Sequence, residues 1–140
     1  MILEINKKQV IFMQVLLVMA GGFLGAVVRF ALSDWLYAGE FPLNTLIINL
    51  AGCLFLGWFL TFVSQSGKLK PGIALLIGTG FTGSFTTFST FSLEAMNLLQ
   101  QGFAFQVILY IIASTGGGLL LAYAGFKLAV FHDRSGADDE

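Results

Sequence analysis

The sequence predicts an all-α membrane protein of four transmembrane helices, the third of them broken near the bilayer midplane. Three observations carry this expectation. Of 140 residues, 56% are hydrophobic and only 11% charged, against about a quarter charged in an ordinary soluble domain. The apolar residues fall into four runs, each reaching the roughly 20 residues that cross a hydrocarbon core, with short polar connections between them. One run also contains a string of small, hydroxylated and aromatic side chains from Gly83 to Ser92. The length fits a single domain, residues 1–140. A net charge of −1 without a basic patch excludes nucleic acid as a natural partner.

The first run, Ile11 to about Ser33, carries one charge, Arg29. Lys7, Lys8 and the stretch ending Val18-Met19-Ala20 have the form of a signal peptide with its cleavage site. Apolar residues continue to Leu32, however, so a full span is expected. Gly21 and Gly25 have the GxxxG spacing that lets helix backbones approach closely where lipid gives no hydrophobic drive for association. Ser33 to Pro42, with Asp34, Trp35, Tyr37 and Glu40, suits an interfacial segment.

The second run, Leu43 to Val63, has no charge. Asn44 stands where it could cap the helix. Thr45 and Asn49, four residues apart, share one face. The Asn49 amide serves either as interhelical glue or as a functional donor, and both readings stand. Cys53 is the sole cysteine, so it has no disulfide partner and is expected to be a small buried apolar residue.

The third run spans Pro71 to about Leu99, after a polar turn from Ser64 to Lys70. Each unmet polar group facing lipid costs several kcal/mol, so the hydroxyl-rich string must be buried in protein or line a pathway. A break is expected around residues 83–87. Gly78, Gly80 and Gly83 lead up to it, for close packing or for conformational freedom. Phe88 and Phe91, three apart, are either core packing or ring edges offered to an anion, since a phenyl edge is electropositive. Weak sites of that kind suit conduction, which requires release as well as binding. The hydroxyls of Ser89 and Thr90 lie between the rings. Glu94, on roughly the face of Phe91, reads as a proton site, a vestibule carboxylate or a helix tie. Intramembrane charges are functional candidates by default, although Arg29 lies near enough to its span end to reach the interface. The fourth run, Phe103 to about Phe131, follows a short link at Gln100 to Gly102. The polar tail from His132 to Glu140 is expected to be unstructured, with His132 solvated.

These residues together resemble the CrcB (Fluc) family of small bacterial fluoride channels. The likeness runs from about Gly21 to Lys127. It rests on Gly21-Gly22 with Gly25-Ala26 and Arg29, on Asn44-Thr45-Leu46-Ile47-Ile48-Asn49, and on Gly80-Phe81-Thr82-Gly83 followed by Thr86 to Ser92 and Glu94. The resemblance implies an antiparallel, dual-topology dimer in the inner (plasma) membrane, with two fluoride pores lined from both subunits. It implies Asn49 as a pore asparagine, Thr45 as a pore-side hydroxyl, and Phe88 and Phe91 as the rings facing fluoride. Tyr110 and Ser114 match pore-side positions of the fourth span. Gly118 stands where many relatives have a second serine, so a water or Thr115 would have to supply that hydroxyl. A structural sodium ion is implied at the dimer centre, on backbone carbonyls of Gly83 and Thr86 from each subunit.

With both termini on one side, that side receives Lys7, Lys8, Lys68, Lys70, Lys127 and Arg134, and the other Arg29 at most. Six against one predicts cytoplasmic termini, whereas a dual-topology homodimer should show little bias. A homodimer is expected because Lys127 lies at a span end; the alternative is a heterodimer with an oppositely biased homologue. Rival functions are a small multidrug-type proton-coupled exporter and a non-transporting subunit of a larger membrane complex. The first lacks a carboxylate between Ile11 and Ser33. No nucleophile–base pairing or metal-ligand spacing marks an enzyme.

Overall fold

The computed structural model describes residues 2–36, 39, 41–67 and 69–137, with the side chains of 2–6, 66 and 132–137 excepted. Tyr37 and Glu40 of the interfacial segment, Lys68, the side chains of His132 and Arg134, and the last three residues therefore lie outside the described residues. Among the described residues every regular element is helical: α1 (Ile2–Trp35), α2 (Leu43–Ser66), α3 (Pro71–Ala74), a π-helical segment (Leu75–Phe81), α4 (Thr82–Phe85), α5 (Phe88–Gln100) and α6 (Ala104–Ala137). Lys7–Trp35, Leu43–Gln65 and Ala104–Phe131 are each long and apolar enough to cross a membrane. The region from Pro71 to Gln100 is instead assembled from shorter helical pieces.

Connections follow from local chemistry. Gly67 ends α2 in the left-handed conformation (φ 57°), its N–H bonded to Val63 O, as helix C-termini commonly close. Pro71 opens α3 at the first helical position, where its missing N–H costs nothing. Between α5 and α6, Gly102 takes φ 86°. Its N–H bonds Leu99 O and that of Phe103 bonds Leu98 O, both at 3.0 Å, the crossed pair of a Schellman closure. Asn44 does not cap α2: Pro42 holds that position. Asn44 Oδ1 instead accepts the Thr45 N–H (2.9 Å), and Nδ2 donates to Ser33 Oγ on α1 (3.2 Å). The tail also differs from expectation, because α6 continues through Ala137.

Two packing units organise the bundle: α2 lies along α6, and α1 lies along the π segment and α4. Gly21 and Gly25 serve the second, since a Cβ at either would overlap the carbonyl oxygen of Leu76 or Phe81. Gly80 answers them from the π segment, with Gly21 Cα only 3.1 Å from where its Cβ would stand. Positive φ does not occur at Gly78, Gly80 or Gly83. Conformational freedom is thus unused there, and close approach is what Gly80 supplies. Thr82, 1% exposed, directs its hydroxyl (2.9 Å) and its N–H to Ile77 O, the wide-turn bonding of a π segment.

Candidate functional site

Helical structure stops at Phe85 and resumes at Phe88. Thr86 (φ −77°, ψ 153°) and Thr87 (φ −141°, ψ 125°) between them are extended. Two side chains from other helices grip the ends. Asn49 Nδ2 donates to Thr87 O at 3.0 Å, and Thr87 N–H donates to Asn49 Oδ1 at 2.8 Å. One amide thereby pairs with one residue's main chain as a neighbouring strand would. Arg29 Nε donates to Ser84 O at 3.3 Å. In an unbroken α-helix that carbonyl would accept the Phe88 N–H; Arg29 replaces the lost donor. The guanidinium is therefore aimed at the interruption, not outward to the interface. Thr87 also caps α5: its Oγ1 accepts the Thr90 N–H (3.2 Å), donates to Thr90 Oγ1 (3.1 Å) and lies 3.2 Å from Ser89 Oγ. Ser89 and Thr90 thus belong to the cap of α5.

Beside the interruption lies a cleft of about 310 Å³. Four of the residues expected in a pore, Asn49, Phe88, Phe91 and Ser114, line it together with Thr86, and no charged side chain among the described residues does. The two rings sit with centroids 5.9 Å apart, tilted by 37°, and Phe88 is 80% exposed. Ser114 Oγ is buried and has no hydrogen-bond partner among the described residues, an unsatisfied hydroxyl in the wall of the cleft. Gly52, Cys53, Leu56, Thr87 and Thr115 complete the lining. Cys53, expected to be a small buried apolar residue, is half-buried there. Thr115 Oγ1 is bonded to Ile111 O, and Gly118 is backed by Cys53 Sγ, 3.3 Å from where a Cβ would be.

Thr45, Tyr110 and Glu94 gather elsewhere. Glu94 Oε1 accepts from Thr45 Oγ1 and Oε2 from Tyr110 OH, both at 2.8 Å. Thr45 and Tyr110 are 3% and 0% exposed, and neither is among the residues that line the cleft. The Tyr110 ring packs between Phe91 (4.8 Å) and Phe41 (5.6 Å, edge-on). Glu94 accordingly ties α2, α5 and α6 together behind Phe91. Of the residues missed in the sequence, Thr87 carried a readable signal, a threonine three before Thr90 where a helix resumes. Gly52 carried none, because its role depends on what packs against it.

Fold and site define a class: a small multi-pass helical membrane protein with an uncharged cleft of amide, hydroxyl and phenyl groups beside an interruption in its helices. A family model described as "CrcB-like protein, Camphor Resistance (CrcB)" matches residues 16–126, and the chain belongs to that family. It is 44% identical over 118 residues to the fluoride-specific ion channel FluC of Oceanobacillus iheyensis, covering 84% of this chain and 92% of the relative. It is 46% identical over 112 residues to the fluoride-specific ion channel FluC 1 of Moorella thermoacetica (78% and 80%). To FluC 2 of Listeria innocua it is 41% identical over 108 residues (77% and 84%).

Proposed function

We infer that this chain is a fluoride-specific ion channel, a passive route by which cytoplasmic fluoride leaves the cell, and not an enzyme. The observation that carries the reading is that the cleft and its interruption fall inside the stretch shared with relatives named as fluoride channels. The chemistry supports it. Hydrogen fluoride is a neutral weak acid that crosses bilayers and ionises inside; a pore for the anion then returns it down its gradient without a nucleotide. Ring edges of Phe88 and Phe91 favour an anion weakly, and the free Ser114 hydroxyl replaces part of its hydration. Multiple weak contacts of this kind allow rapid release, which a fixed lysine or arginine would slow.

The finer architecture follows from the same reading. Residues 71–100 form the third crossing of the inner membrane, interrupted at Thr86 and Thr87 within the bilayer. A second, antiparallel copy completes the site. Its support is the exposure of the Phe88 ring, 80% on the isolated chain, at the edge of the cleft it lines. The sodium ion of the family resemblance fits this chain's own oxygens. The helical donor for Gly83 O is the Thr87 N–H, which goes to Asn49, and that for Thr86 O is the Thr90 N–H, which goes to Thr87 Oγ1. Both carbonyls are thereby released for a hard cation. The described residues contain no group of three acidic, His or Cys side chains that could hold a metal. Such an ion would supply positive charge between the two interruptions.

A heterodimer is the second reading, favoured by the six-to-one placement of basic residues. Purified alone, the chain should form a dimer that discharges fluoride but not chloride from proteoliposomes, read with ion-selective electrodes. Flux from the single chain would remove the heterodimer. Phe88→Ile should leave folding intact, because the ring is exposed, yet cut fluoride efflux by about a hundredfold. Unchanged efflux would reject Phe88 as a pore residue.

A further inference from the structure

We propose that Gly52 is a positioning residue for the pore, its missing side chain forming the seat in which Thr86 holds the interruption against α2. The proposal rests on the channel reading for its functional consequence, and on geometry alone for the seat itself. Gly52 is buried and lies three residues after Asn49, on the same face of α2. A Cβ at position 52 would overlap Thr86 Cγ2, with the next atoms, Phe85 Cδ1 and Cε1, at 3.4 and 3.8 Å. Only one methyl group, therefore, stands in the way of a side chain there.

Thr86 cannot easily swing that methyl aside. Its Oγ1 donates to Thr82 O at 2.9 Å, and its own N–H reaches the same carbonyl at 3.0 Å. A β-branched side chain is also stiff about χ1. An alanine at 52 must then push the extended segment away from α2. The next residue is Thr87, which Asn49 grips at 2.8 and 3.0 Å, and bonds of that length do not survive a displacement approaching 1 Å. Gly57 and Gly125 make a useful contrast. A Cβ at either would meet main-chain oxygen, of Ala122 or Leu54, which no side-chain change can remove. At Gly52 the obstacle is a single removable group.

That difference gives the test. Gly52→Ala should reduce fluoride efflux from proteoliposomes by at least about tenfold and lower the thermal midpoint in detergent. Thr86→Ser, which deletes Cγ2 and keeps the hydroxyl that bonds Thr82 O, is the background against which Gly52→Ala is measured again. The pair Gly52→Ala with Thr86→Ser should recover both flux and midpoint. Gly52→Ala with Thr86→Val, which keeps the obstructing methyl, should recover neither. Gly125→Ala should not be rescued by Thr86→Ser. Parental flux in Gly52→Ala, or failure of Thr86→Ser to restore the double variant, overturns the proposal. If the parent chain itself conducts no fluoride, the channel reading fails, and the midpoint series still decides whether Gly52 and Thr86 form this seat.

Discussion

One turn apart on the same face of α2, Thr45 and Asn49 serve polar sites built in opposite ways. At Thr45 the network is closed: both Glu94 oxygens accept short bonds, and the donors Thr45 and Tyr110 are almost wholly removed from the surface. At Asn49 the network is open. The amide is engaged with Thr87, but Ser114 Oγ has no partner and Phe88 stands exposed beside it. A saturated buried network rigidifies its surroundings, whereas an unsatisfied polar atom is costly unless something else comes to it. The closed site ties three helices together, whereas the open site leaves the Ser114 hydroxyl unpaired among the described residues. Disturbing the first should be felt chiefly as stability, and the second chiefly as flux.

Asn49 belongs to both regimes, and its removal should have the largest effect. Asn49→Ala strands the Thr87 N–H and carbonyl together, and each unsatisfied buried group costs about 1–3 kcal/mol. We expect fluoride efflux to fall by about a hundredfold or more, with a clear drop in thermal midpoint. Asn49→Asp sharpens the point. It keeps the acceptor for the Thr87 N–H but turns a second oxygen toward the Thr87 carbonyl, so it should not restore flux. A variant at Asn49 that conducts normally would show that the grip on Thr87 is dispensable.

Tyr110→Phe tests the closed site. The ring remains to pack on Phe91 and Phe41, but Glu94 Oε2 loses its donor. A loss of about 1–3 kcal/mol in unfolding free energy is expected. Fluoride efflux, normalised to folded protein, should change by less than about threefold, because Tyr110 does not line the cleft. If efflux collapsed while the thermal midpoint held, the division between closed and open sites would be wrong.

The contrast also explains what could be read in the sequence. Long apolar helices are a property of consecutive residues, so three helices long and apolar enough to cross a membrane were legible, although α1 starts at Ile2, well before the apolar run at Ile11. Composition drew attention to Gly83–Ser92 as the chemically unusual stretch. The partners of that stretch were hidden, since Asn49 is 38 positions from Thr87 and Thr45 is 49 from Glu94. Helical spacing placed Thr45 and Asn49 on one face without revealing that one would meet a carboxylate and the other a main chain. Arg29 illustrates the same limit. Position near a span end pointed outward, but a carbonyl that had lost its helical donor drew the guanidinium in.

Ser114→Ala should give the smallest change and the cleanest separation of the two effects. Ser114 Oγ makes no hydrogen bond to the described residues, so deleting it removes none of their hydrogen bonds. Desolvating that hydroxyl costs free energy with no return, and its loss should leave stability within about 0.5 kcal/mol of the parent or raise it slightly. A passing fluoride would lose one hydrogen-bond donor among several weak contacts. Efflux is then expected to fall by about three- to tenfold, roughly the worth of one net hydrogen bond. Cys53 and Thr115 line the same cleft, but Thr115 Oγ1 already donates to Ile111 O, and a thiol is a weak donor; neither can replace the lost hydroxyl. Reduced efflux at undiminished thermal midpoint would mark Ser114 as a group reserved for the ion. A lower midpoint with unchanged efflux would instead move it to the structural side, and the open site would then lose its free donor.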